Sequence, residues 1–287
     1  MNPEQLQDAS QRLRAAWRHG EVIAALPEAS RPQTREEGYA IQTLLERHSS
    51  APLYGWKIAA TSTAGQAHIA VDGPLAGRLL AERVVADGAT VPAGVNRMAV
   101  AEIEFAFRMA SDLVPRDARY SVDEVLDAVA SVHAAIEIPD SRYEDFTRVG
   151  APQLIADNAC AHYFVCADAA TQDWRHVDFA AYRAVGRIDG RAAREGRGDA
   201  VLGDPRVALA WLANELSALG MTLRRGQTVT TGTCVTPMPI RPGDRVTADF
   251  GSLGVASVTT ASARSPPCGS PSLRRDAPPL CAERCSR

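Results

Sequence analysis

The chain has 287 residues, 46% of them apolar and 23% charged, which are ordinary proportions for a folded protein with a substantial core. Its net charge of −3, from 31 basic and 34 acidic residues, gives no electrostatic footprint for nucleic acid or an anionic membrane surface. No apolar run approaches the roughly 18 residues of a membrane span. The polar start from Met1 to Asp8 lacks the charged-then-apolar pattern of an export signal, so a cytoplasmic location is expected.

Leu6, Ala9, Leu13 and Trp17 recur at helical spacing and Gly20 closes the run, which predicts a first helix. Thr34 and Glu37 form a capping-box pattern ahead of a second helix. Two more helices are expected later, one opened by Ser121 and Glu124, the other by Asp204 and Pro205 and ended by Gly220. The strand signals are Tyr54 to Thr61, Val100 to Met109, Ala135 to Pro139, His162 to Cys166, a hairpin turning at Asp189 and Gly190, and a terminal run from Thr228 through Thr260. Strands and helices do not alternate regularly. This favours a mixed α+β roll or sandwich over a doubly wound parallel sheet.

The last 26 residues, 262–287, carry 5 of the 18 prolines and 5 arginines against 2 acids, with almost no apolar periodicity, and are expected to be a disordered tail. Of the six cysteines, Cys268, Cys281 and Cys285 fall in that tail, while Cys160, Cys166 and Cys234 are scattered in the body without a CxxC pair. The body cysteines therefore read as free buried thiols.

Of the 31 basic residues only Lys57 is lysine. An ammonium can release a proton when desolvated whereas a guanidinium stays charged, so Lys57 is a candidate for proton transfer or a compact charge contact. On a strand, Gly55, Lys57 and Ala59 share one face, which leaves room for a ligand beside the amine; a lysine snorkelling at a strand edge is the ordinary alternative. In Val100 to Phe107 the period of two sends Ile103, Phe105 and Phe107 to a core and Glu102 with Glu104 to the opposite face. Glu137 likewise points away from Ile136 and Ile138. Three inward carboxylates without a His or Cys cluster point to a hard divalent cation such as Mg²⁺ or Mn²⁺. A solvated strand face is the alternative for Glu102 and Glu104.

Six pieces occur in order: Gly55-Trp-Lys-Ile-Ala-Ala-Thr-Ser62, Glu102-x-Glu104, Ala135-Ile-Glu-Ile-Pro-Asp-Ser-Arg142, Ala156-Asp-Asn-Ala159, Leu202-Gly-Asp-Pro205 through Trp211-Leu-Ala-Asn214, and Thr231-Gly-Thr233. Together they resemble the 2-keto-4-pentenoate hydratase and 4-oxalocrotonate decarboxylase group of the fumarylacetoacetase-like superfamily. The resemblance spans nearly all of the chain before the tail. It implies a mixed β-roll with flanking helices, here an N-terminal helical segment 1–52 and a catalytic domain 53–261. It also implies a metal held by Glu102, Glu104 and Glu137, a catalytic Lys57, and Asp157 and Thr233 as pocket groups. The implied partner is a small 2-oxo acid, in a homo-oligomer, acted on by a hydratase, a decarboxylase or a C-C hydrolase. One departure stands out: Val71-Asp-Gly-Pro-Leu75 has leucine where that group has an acidic residue after proline, which puts the substrate or the second step in doubt.

Overall fold

The computed structural model describes residues 1–261 except Ala93 and Val95. The expected disordered tail, 262–287, lies outside the described residues. Helix α1 (Pro3–His19) begins with a capping box between Asn2 and Gln5 and stops at Gly20, whose φ of 67° is left-handed. Helix α2 (Arg35–Thr43) is capped by Thr34, whose hydroxyl accepts from the Glu37 amide. Both pack through Ala9, Leu13 and Ile41 on a small apolar cluster that includes Tyr143 and Ala156.

From there the chain is mostly strand. In order come β1 (Gly55–Ala59), α3 (Thr63–His68), β2 (Leu75–Leu79), β3 (Val84–Val85), β4 (Thr90–Val91), β5 (Val100–Met109), α4 (Val122–Asp127), β6 (Val129–Ile138), α5 (Ala151–Ala156), β7 (Tyr163–Cys166), β8 (Arg183–Ile188) and β9 (Arg194–Arg197). Helix α6 (Pro205–Ala218) and strands β10 (Thr228–Thr233), β11 (Met238–Pro239), β12 (Arg245–Asp249) and β13 (Val255–Thr260) complete the fold. One sheet has the order β2-β1-β10-β5-β6-β7-β3, with β11 added to β5; the other runs β4-β13-β12-β8-β9. β1 runs parallel to β10, while β5 is antiparallel to both β10 and β6. This is the mixed α+β roll that the sequence pattern implies.

The two sheets bury one face of β5 between them. Phe105 lies against Phe250 and Phe179, with ring centroids 4.5 and 5.3 Å apart. Ile103, Phe105 and Phe107 are fully buried, and side chains of this size contribute about 1.5–3 kcal/mol each on leaving water. That apolar face fixes the register of β5. A slip of one residue would send the glutamates into the aromatic core, so the phenylalanines determine which way the acids point.

Candidate metal centre and cavity

The register brings polar side chains of four strands, β1, β10, β5 and β6, onto one face. Glu102 lies directly opposite Glu137 across the β5–β6 pair, Glu104 stands two residues along, and Lys57 is aligned with Thr230 across β1–β10. Ligand oxygens of Glu102, Glu104 and Glu137 lie within 4.8 Å of one another. Lys57 Nζ is 3.1 Å from Glu137 Oε1 and donates a hydrogen bond to the Ala159 carbonyl at 3.0 Å. Lys57, Glu104 and Glu137 are all buried.

Two groups of β10 steady the centre. The Thr230 hydroxyl and the Gly232 amide, the latter at 2.8 Å, both donate to Glu104 Oε2. Between Thr230 and Thr233 the β10–β5 register shifts, so the strand bends toward the acids at this point. Gly232 has φ +100°, and a Cβ there would stand 1.9 Å from Thr61 Oγ1, so only glycine lets the amide reach.

Burial dominates the electrostatics. It pushes the Glu104 carboxyl well above the usual carboxylate range, and the charges of Glu137 and Glu102 push it further. Burial raises Glu102 too, against the pull of Lys57. Glu137 is pushed up to about 7 by burial, with the Lys57 ammonium opposing. For Lys57, burial disfavours the charge, but the fields of Glu137 and then Glu102 override it and hold the ammonium above its ordinary value. Glu104 Oε1 and Glu137 Oε2 are buried without a hydrogen-bond partner, and Glu137 Oε1 meets only the Lys57 ammonium. Three ionised carboxylates facing one ammonium leave two negative charges, which a divalent cation would neutralise. An all-oxygen donor set with orphaned oxygens fits a hard divalent cation.

Lys57 and Glu102 open onto a cavity of 770 Å³, whose wall also includes Thr233, Ala159 and Cys160; the fully buried Glu104 and Glu137 lie off that wall. Gly77 on β2 lets the strand pack tightly against the Lys57 stem, since a Cβ there would stand 2.5 Å from the Asn158 carbonyl and 3.0 Å from the stem. Thr233 reaches the cavity, but its hydroxyl is committed to the backbone: it accepts from Ile103 N at 3.1 Å and donates to Val235 O at 2.6 Å.

Asp157 is placed behind the wall rather than on it. Its carboxylate is ion-paired with Arg142 and accepts from Ser141 Oγ at 2.7 Å and the Arg142 amide at 3.0 Å. The family resemblance implies a pocket role for Asp157, whereas its residue type alone reads as a turn; neither signals its partner Arg142, 15 residues upstream. The same segment holds groups that sequence reasoning passed over. Asn158, Ala159 and Cys160 all adopt left-handed φ of 56°, 49° and 62°, which turns the Ala159 carbonyl toward Lys57. Asn158 anchors this turn by accepting from the Arg78 amide at 2.7 Å and donating to the Arg78 carbonyl at 2.9 Å. A backbone acceptor leaves no residue-type signal. Thr230 was detectable only as part of the Thr-Thr-Gly-Thr run 230–233.

Cys160 and Cys234 are free and buried, and burial pushes the Cys160 thiol up to about 12, so it is chemically quiet. Among the described residues, no helix is long and apolar enough to cross a membrane.

Residues 52–260 match the fumarylacetoacetate (FAA) hydrolase C-terminal family. The chain is 31% identical over 263 residues to a 2-keto-4-pentenoate hydratase of Paraburkholderia xenovorans, covering 91% of this chain and 96% of the relative. It is 32% identical over 259 residues to a 2-hydroxyhexa-2,4-dienoate hydratase of Comamonas testosteroni, covering 88% and 96%. Among solved structures, 4-oxalocrotonate decarboxylase from Pseudomonas putida G7, complexed with magnesium and adipate, superposes with a TM-score of 0.82 at 26% identity, covering 91% of this chain and 98% of that one. Sequence and architecture agree along the length that carries the acids and the lysine: the chain belongs to the fumarylacetoacetate hydrolase family.

Proposed function

We propose that the chain is a divalent-metal-dependent hydro-lyase that converts a 2-hydroxy-2,4-dienoate to a 4-hydroxy-2-oxo acid. The observation that carries this is the Glu102–Glu104–Glu137 cluster, with Glu104 and Glu137 fully buried and carrying unpartnered oxygens, beside an ammonium at the wall of a large cavity. Names of relatives across nearly the whole chain support the same reading.

Glu102, Glu104 and Glu137 would hold Mg²⁺ or Mn²⁺, which when bound supplies a Lewis acid for the substrate's 2-oxygen and the negative charge that gathers there. Thr230 and Gly232 keep Glu104 oriented, so one of its oxygens is left for the ion. Lys57 holds the proton. It delivers that proton to the far end of the dienol and is reprotonated by the proton released from the 2-hydroxyl, which gives a 2-oxo-3-enoate; water then adds its oxygen at C4 and a proton at C3. The Ala159 carbonyl fixes the direction of the amine. Thr233 shapes the wall, and Asp157 acts through Arg142 on the turn that carries Ala159.

A second reading, decarboxylation of a 4-oxalocrotonate-type 2-oxo acid, is supported by the solved neighbour of that name. It needs the same enolate, reached by loss of carbon dioxide. We further propose 1–52 as a helical support, 53–261 as the catalytic unit, and a cytoplasmic homo-oligomer. The deciding assay gives purified protein Mg²⁺ or Mn²⁺ with 2-hydroxydienoates, oxalocrotonate-like diacids and acylpyruvates while the dienoate absorbance is followed. Metal-dependent loss of dienoate with formation of a 4-hydroxy-2-oxo acid is the expected result. Carbon dioxide release, or cleavage of acylpyruvate alone, would replace the hydratase reading.

A further inference from the structure

The cavity lining is uneven in charge along its length. Besides the thiols of Cys160 and Cys234, its charged and titratable lining is Lys57, Glu102, Glu195, Arg197, Asp199 and His68. Lys57 is taken up by Glu137 and the Ala159 carbonyl at the metal end. Arg197 lies on the exposed rim, where Asp199 neutralises it at 2.5 Å. Glu195 on the same rim is paired outward with Arg183. The rim thus carries two carboxylates and one guanidinium from the lining, and His68 packs its ring edge-on against Phe146, with centroids 5.9 Å apart. Among the described residues, the only arginine or lysine side chains in the lining are Lys57 and Arg197, both already paired.

Apart from the hydroxyls of Thr61, Ser62, Thr233 and Thr236, the rest of the wall is mostly apolar. Ile69, Leu75, Met98, Phe146 and Leu154 line it. Leu75 and Leu154 are fully buried, and the other three are partly buried against the main core. Leu75 opens β2 and pairs with Ala59, two residues from Lys57 on the neighbouring strand. Leu75 therefore stands on this wall as a hydrocarbon. At 770 Å³ the cavity is in the range that holds ligands far larger than a five-carbon acid, so room remains past the reacting carbons.

We propose that this cavity selects 2-oxo and 2-hydroxydienoic monocarboxylic acids that carry an uncharged, apolar tail extending beyond five carbons, and that it rejects the dicarboxylic acids of the same length. The inference rests on the cavity being the 2-oxo acid site. Its physical basis is that the metal end anchors one carboxylate and the neighbouring 2-oxygen, whereas a second carboxylate would lose its water against Leu75, Phe146 and Leu154 with no cation to replace it. An apolar tail gains from the same burial.

The test is calorimetry of Mg²⁺-loaded protein with pyruvate, 2-oxohexanoate and 2-oxoadipate, the last two differing only by a methyl in place of a carboxylate. 2-Oxohexanoate should bind at least about tenfold more tightly than either of the others, the scale of one unpaired polar group or a few buried methylenes. Phe146→Ala should weaken 2-oxohexanoate about tenfold and leave pyruvate unchanged. Turnover of 2-hydroxyhexa-2,4-dienoate should exceed that of its 6-carboxylate analogue by a similar factor in kcat/KM. If 2-oxoadipate binds as well as 2-oxohexanoate, or pyruvate binds as tightly as both, the inference fails while the 2-oxo acid site stands. If none of the three binds, the reading of the site fails and this inference with it.

Discussion

Lys57 sits where two demands meet. Its neighbours need a positive charge, because Glu137 and Glu102 face it in a buried setting, and the proposed reaction needs a group that gives up a proton. Substitution separates the two. Lys57→Arg retains the charge and should keep fold and metal, yet lose turnover by roughly 100-fold or more, the usual scale of general acid-base help. Lys57→Met should be at least as slow, with metal affinity unchanged or slightly raised, as steady-state rates and Mg²⁺ calorimetry would show. Near-normal rates in Lys57→Arg would mean that the residue supplies charge alone. Glu104 tests the metal in the same way: Glu104→Gln removes a ligand charge from the centre of the triad, and Mg²⁺ binding should vanish in calorimetry while the apo protein stays folded.

Two elements hold these residues in place by geometry rather than chemistry. The first is the bend in β10 that ends at Gly232. Gly232→Ala would set a Cβ 1.9 Å from Thr61 Oγ1 at a backbone angle that L residues avoid, so the loop must move and the amide bond to Glu104 must lengthen. A stability loss of about 2–4 kcal/mol in urea titration, with weakened Mg²⁺ binding, is expected. The second is the turn after α5. Asp157→Asn would leave the buried Arg142 without its counter-charge, and a loss of about 3–5 kcal/mol is expected. If Asp157 instead acted on substrate, kcat would collapse with little change in the urea midpoint, and the positioning role would be wrong.

At the scale of the whole molecule the buried acids make stability depend on metal and pH together. Glu137 is pushed up from an ordinary value of 4.5 to about 7. A carboxyl with a raised folded-state pKa binds its proton more tightly in the folded than in the unfolded chain. Its effect on stability is therefore complete at low pH and is lost as pH rises from about 4.5 through about 7. Metal-free protein should melt several degrees lower at pH 8 than at pH 5, and Mg²⁺ should remove most of that difference. Binding at pH 7 should also release protons, read as a dependence of calorimetric heat on the buffer's ionisation enthalpy. A flat melting profile without metal would show that the acids do not share a buried site.

Much of this was legible in the chain. The alternation of Ile103, Phe105 and Phe107 with Glu102 and Glu104 is a local pattern, and it determined both the strand and the face of the acids because side chains in a strand alternate by geometry. The lone lysine, the capping box at Ser121, the Thr34 cap before α2, and the glycine stops at Gly20 and Gly220 are likewise local, and the helices begin and end where they place them; the Glu37 half of the expected box at α2 goes instead to Met1 and Gln33. Short elements such as β2 and α3 carried no such period and went unread.

What the tertiary structure alone decided is which distant groups meet. The convergence of Glu137 with Glu102 depends on the β5–β6 register, and the proximity of Lys57 to the acids on the insertion of β10 between β1 and β5. The same holds for Arg142 on Asp157, for the Ala159 carbonyl on Lys57, and for Leu75 on the cavity wall. These pairings join residues from 15 to more than 100 positions apart. Side-chain type and spacing carry no record of such contacts. They arise only when burial of the aromatic face locks the two sheets together and leaves the opposite face of β5 to the acids.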